Sequence, residues 1–307
     1  MALPPTSKAL SMAENDRPLA GSRLAVRKTY KLYIGGAFPR SESGRSYAVT
    51  SGGGAPLANA ALASRKDVRD AVVAARKAQP RWAAATAYNR GQVLYRVAEM
   101  MEGRRAQFAA GVAQGEGLSG AEASLVVDEA IDRWVWYAGW ADKVAQVAGA
   151  ANAVAGPYFN FSVPEPVGVV AILAPQESSL LGLVSVLAPV LTTGNAAVVV
   201  ASEQRPLPAL ELAEVLATSD LPGGVANVLT GRPAELGPVL AAHRDVEAMD
   251  LAGAPEGTAA SLEEAGAGNV KRLLRRPATL PDWRAEPGPD RMLFFVETKT
   301  VWHPIGV

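Results

Sequence analysis

The chain has 307 residues with 30 basic and 30 acidic side chains, so it carries no formal net charge at pH 7 and nothing in its charge points to nucleic acid or to an anionic membrane. Hydrophobic residues make up 49%, enough for a sizeable core in one large or two smaller domains. The sequence has no cysteine and two well-separated histidines, His243 and His303, which excludes disulfides and thiolate metal sites and argues against a histidine metal site.

Residues 1–28 lack an apolar core of signal-peptide type and read as a flexible extension, with Met12 as an alternative start. No run of about 18 apolar residues is present, so no membrane span is expected and the chain reads as cytoplasmic. In residues 30–49, Tyr30, Leu32 and Ile34 alternate and Gly35-Gly36 turns, which predicts a small β-hairpin. Ser64 followed by Asp67 predicts a capping box. The helix it opens carries Val68, Ala71, Val72, Ala75 and Ala78 on one face and is expected to stop at Pro80. Further helices are expected over 87–112 and 122–145. The second of these holds Trp134, Trp136, Tyr137 and Trp140, read as core packing rather than a ligand box.

Residues 157–165 predict a strand running into Pro166. Two short Val/Ile/Leu runs, 168–173 and 196–200, then flank a segment, 180–191, that is apolar at nearly every position. This reads as buried strand, crossover helix and buried strand, a right-handed βαβ unit. A helix over 206–218, a strand over 225–231, a helix over 234–243, a strand over 246–251 and a helix over 256–267 continue the alternation. The fold class expected is α/β, a doubly wound, Rossmann-like and mostly parallel sheet with N-terminal helices. Residues 273–290 are proline-rich and charged and read as a linker. Residues 291–307 are rich in Phe, Val, Thr and Trp and read as a strand. Such a strand, like Tyr158–Val163, is a liability unless covered, so pairing with another chain is expected, with pairing inside the chain as the alternative.

The stretch from Pro166 to Glu203 resembles the start of the cofactor-binding domain of the aldehyde dehydrogenase superfamily. Pro166, Gly168, Pro175, Leu187-Ala188-Pro189, Gly194-Asn195 and Glu203 carry the likeness, joined by Gly224 to Gly231, Asn269 to Arg272 and the tail around Glu297 to Val301. The resemblance implies an NAD(P)-binding domain over 29–272, an oligomerisation hairpin over 157–167 that the tail joins, and a linker at 273–290 in place of a catalytic domain. It also shows which chemical groups are replaced. The family's Trp-Asn becomes Gln176-Glu177, its Lys-Pro becomes Val200-Ala201, and its Thr-Gly-Ser becomes Ala252-Gly253-Ala254. The family attacks aldehydes with a cysteine, which this sequence lacks, and holds the oxyanion with a side-chain amide where Glu177 stands.

No catalytic or metal-binding residue is therefore expected. The residual cofactor positions are Pro175, Glu203 and Gly253, with an empty Rossmann-like cleft favoured over bound NAD(P). Pro255, placed by the sequence in the first turn of the next helix, removes one phosphate donor. The function expected is that of an inactive structural or regulatory subunit. Its partner would be a full-length aldehyde dehydrogenase or a second copy of itself, with neither nucleic acid nor membrane involved. The alternatives are an NAD(P)-dependent aldehyde oxidoreductase and a non-catalytic nucleotide sensor.

Overall fold

The computed structural model describes residues 26–306. The extension expected over 1–28, Met12 included, thus lies almost wholly outside the described residues. Strand β1 (Thr29–Tyr30) runs parallel to β3 (Pro56–Ala61), which is antiparallel to β2 (Ser46–Thr50). The hairpin expected over 30–49 shrinks to its turn. Gly35 and Gly36, at φ 63° and 85°, are closed by a bridge between Ile34 and Ala37. Strand β2 takes β3 as partner instead, because the Gly52-Gly53-Gly54 loop turns the chain straight back.

Helix α1 (Arg65–Ala84) opens at Ser64 as its sequence requires. The Ser64 hydroxyl accepts from the N–H groups of Lys66 and Asp67, and the Asp67 carboxylate accepts from the Ser64 N–H at 2.7 Å. The helix does not stop at Pro80. It runs on to Ala84, because the proline removes only one ladder bond while the last turn is fixed from outside. Trp82 is buried there and its indole N–H donates to the Leu191 carbonyl at 3.0 Å. The single helix expected over 87–112 is two, α2 (Ala87–Glu102) and α3 (Arg105–Glu116), divided at Gly103. Helix α4 (Gly120–Trp140) starts at a Ser119/Glu122 capping box and is followed by the short α5 (Val144–Ala148). Trp134 and Tyr137 are buried in the core, with Trp136 and Trp140 packed against it.

After β4 (Ala150–Asn152) and β5 (Tyr158–Pro166), the chain enters the central layer. This comprises β6 (Val169–Leu173), α6 (Leu181–Thr192), β7 (Ala196–Val200), α7 (Leu207–Leu216), β8 (Ala226–Leu229), α8 (Pro233–Ala242), β9 (Ala248–Asp250), α9 (Ala259–Ala267) and β10 (Arg272–Leu274). The five strands are parallel in the order β10-β9-β6-β7-β8. Alternate residues face opposite layers. Val170, Ile172, Ala197 and Val199 meet α4 and α6, whereas Val169, Ala171, Val198 and Val200 meet α1 and α8. Every residue of α6 is buried, as its all-round apolar sequence demands.

Two boundaries differ from expectation. Residues 273 and 274 belong to edge strand β10, so the linker starts later. The tail begins with a helical turn, α10 (Asp290–Phe294), before β11 (Val296–Pro304). The tail also pairs within its own chain, against the expected inter-chain pairing. Strand β11 is antiparallel to β5 from Val296–Pro166 to Pro304–Tyr158, in a sheet ordered β11-β5-β4. The reason is anchoring. Met292 and Phe295 are fully buried, and the Phe295 carbonyl accepts from the Asn195 side chain at 2.8 Å. The tail therefore starts beside the end of β5, and pairing there costs little loop closure.

Candidate functional site

In an open parallel sheet, ligands bind where the strand order reverses, in the crevice beyond the carboxyl ends of the strands. Here that point lies between β6 and β9. The loops after these strands carry Pro175 and Gly253, and the loop after β7 carries Glu203. The fold thus brings the three candidate residues to one edge of the sheet.

The crevice is drawn together at this point. The Gly253 N–H donates to the Leu173 carbonyl at 2.8 Å. A Cβ at position 253 would stand 1.7 Å from the Ala174 carbonyl oxygen. Glycine is thus required for contact between two loops. Pro255 does not sit in a first helical turn, because α9 begins only at Ala259. Its carbonyl instead accepts from the N–H and hydroxyl of Thr258, at 3.2 and 2.6 Å, in a turn ahead of the helix. Pro175 is buried, and its ring lies close against Gly182 of α6.

Gln176 ties the first two loops together. Its amide donates to the Ala174 carbonyl at 2.7 Å and accepts from the Glu203 N–H at 2.9 Å, while its own carbonyl accepts from the Ser202 hydroxyl at 3.1 Å. The Glu203 carboxylate turns toward Arg232 at the start of α8, 3.7 Å away. Glu177 takes a different partner. Its carboxylate accepts from the indole N–H of Trp283 at 3.0 Å, and its carbonyl accepts from Arg205 at 2.7 Å. At the position where the resemblance implies an amide donor, this chain presents an acceptor already engaged.

Trp283 was not among the expected site residues. It arrives on the segment between β10 and α10, which folds back as a strap over α4. Arg133 of α4 donates to the carbonyls of Trp283 and Ala285 at 2.8 and 3.1 Å. Arg284 lies 3.4 Å from Glu129. Arg291 pairs with Asp250 at the end of β9, whose side chain is 1% exposed. Burial pushes the Asp250 carboxyl above the usual carboxylate range, and Arg291 opposes this. Burial likewise raises the Tyr137 phenol, to about 12. The sequence does hold a signal for the strap. Asp250 closes a fully buried strand, and a buried carboxylate needs a cation. Among the described residues, no group of three or more His, Asp or Glu could hold a metal, and no helix is long and apolar enough to cross a membrane.

A model described as "Aldehyde dehydrogenase family" matches residues 39–275. The chain belongs to the aldehyde dehydrogenase family. Its curated relatives include aldehyde dehydrogenase, cytosolic 1, of Elephantulus edwardii, 30% identical over 84% of this chain and 52% of the relative. Human retinal dehydrogenase 2 is 32% identical over 83% of this chain and 50% of the relative. The chain therefore spans about half the length of the curated relatives it matches. Among solved structures, HpcC from Thermus thermophilus aligns with a TM-score of 0.76 at 29% identity, covering 80% of this chain and 47% of that one. PnpE in complex with nicotinamide adenine dinucleotide aligns at 0.74 and 30% identity, covering 80% and 50%. The family match covers the doubly wound sheet and ends one residue beyond β10, so the strap and the tail lie outside it.

Proposed function

We propose that this chain is a non-catalytic member of the aldehyde dehydrogenase family that acts in the cytoplasm as a structural or regulatory subunit, assembling with a full-length aldehyde dehydrogenase or with itself. The drawn-in switch point is the observation that carries this reading. The Gly253 N–H is spent on Leu173, Gln176 fills the space between the first two loops, and Glu203 is turned to Arg232. The donor set does not fit a dinucleotide, since the Gly253 N–H is already engaged and Val200 has no charge to offer a ribose. Glu177 would repel a developing oxyanion, and the sequence supplies no thiolate. Support for assembly comes from the sheet β11-β5-β4. Tyr158, Phe159 and Trp302 stand exposed on it, and the outer edge of β11 has no neighbour among the described residues. With β11 already paired to β5, assembly would use these aromatics, Tyr158 and Trp302 on one face and Phe159 on the other, and the free edge rather than exchange of the tail.

The test is native mass spectrometry of the tagged chain recovered from its own host. A second polypeptide of full dehydrogenase size in fixed ratio, or a defined homo-oligomer, is the expected result. A monomer that associates with no aldehyde dehydrogenase would sink the reading. A second reading, NAD(P)-dependent aldehyde oxidation, draws on the family match and on the relative solved with bound dinucleotide. Steady NADH formation from a panel of aldehydes by the chain freed of other enzymes would establish it.

A further inference from the structure

Beneath the strap lies a cavity of about 400 Å³, lined by Arg133 and Tyr137 of α4, Ser185 of α6, Trp283 of the strap, and Phe294. Its size suits a small organic molecule. Arg133 sets its chemistry. The residue is only 8% exposed, and burial pushes its pKa down, which marks a cation held at a cost. Its Nη2 serves the two strap carbonyls, while Nε and Nη1 have no hydrogen-bond partner among the described residues. Of the neighbouring carboxylates, Asp250 pairs with Arg291, while Glu129 lies 3.4 Å from Arg284 with its buried Oε2 accepting no hydrogen bond. Among the described residues, no carboxylate oxygen lies within 4.0 Å of the Arg133 nitrogens. A further donor is underused, since the Tyr137 hydroxyl reaches only the Gly288 carbonyl, at a long 3.5 Å. The acids that do line the mouth, Asp282 and Glu286 on the strap and Asp290 at the start of α10, are solvent-exposed.

We propose that this cavity binds a small organic monocarboxylate, its carboxylate seated on Arg133 and Tyr137 and its apolar body against Trp283 and Phe294. A guanidinium with free N–H groups in a half-enclosed pocket recognises a carboxylate by paired, charge-assisted hydrogen bonds. The acidic mouth selects against polyanions such as nucleoside phosphates. The site depends on the strap and is independent of the assembly reading. It stands or falls separately from subunit partnership.

The probe is benzoate, compared with the neutral isostere benzamide, read by calorimetry. Saturable binding of benzoate at about 1 mM or tighter is expected, with benzamide at least about tenfold weaker. Arg133→Gln removes the charge and should weaken benzoate by about tenfold or more. Ser185→Phe fills the cavity without touching Arg133 and should abolish binding, with melting curves checking that each variant folds. Equal binding of benzoate and benzamide, no saturable signal up to about 10 mM, or benzoate binding that survives Ser185→Phe would each overturn the proposal.

Discussion

The parallel sheet and the crevice at its carboxyl edge obey different constraints, although the same strands build both. In the sheet, each position of β6 and β7 is buried, so only apolar residues of suitable volume are tolerated and the family pattern persists. At the edge, the side chains answer to chemistry rather than packing. There Gln176, Glu177 and Ala252-Gly253-Ala254 replace groups that the family resemblance implies, and a strap from beyond β10 meets them. Packing and site chemistry can therefore vary separately, since the sheet does not need the site in order to fold.

That contrast can be broken most severely at Asp250. Asp250→Ala strands Arg291 and frees the strap, with an expected loss of about 4 kcal/mol in urea unfolding. Replacing Asp250 and Arg291 together with leucines should recover most of this. If the single and double variants lose the same amount, the pair does not hold the strap. Gly253→Ala comes next. Its Cβ would overlap the Ala174 carbonyl, so the two loops must part, at about 3 kcal/mol. A melting temperature equal to that of the parent would show that the loops are not in contact.

Glu211, on α7 facing α3, gives a pH test away from the crevice. Burial pushes its carboxyl up to about 7, so it holds a proton in the folded chain that the unfolded chain releases near its ordinary value of 4.5. Its contribution is fully present below that ordinary value and is lost as pH rises through about 7. Glu211→Gln should therefore flatten the decline of stability over this window and gain up to about 3 kcal/mol above it. Unfolding curves measured across the window decide the matter, and parallel profiles for parent and variant would refute it. The smallest effect is expected for Trp283→Phe. It removes the indole donor to Glu177, costs about 1 kcal/mol, and should speed limited proteolysis between residues 276 and 290 while leaving far-UV dichroism unchanged.

Much of the sheet was legible because its signals are local. The βαβ unit follows from uninterrupted apolar runs, and the Ser64 cap depends on residues three apart. What escaped depends on distant partners. Pro80 remains helical because Trp82 reaches Leu191, and the tail stays home because Phe295 is fixed by Asn195. Strand β10 is three residues at the sheet edge, too short for a period to show. At the candidate site, the substitutions were readable in sequence, but their partners were not. Nothing local tells that Glu177 will meet Trp283, 106 positions away.

The central claim, that this edge of the sheet has exchanged cofactor binding for internal contacts, is tested most directly by calorimetric titration of the purified chain with NAD⁺. The account predicts no saturable heat up to about 1 mM. Saturable binding that weakens in Glu203→Ala would contradict it, and would return the crevice to the role its family implies.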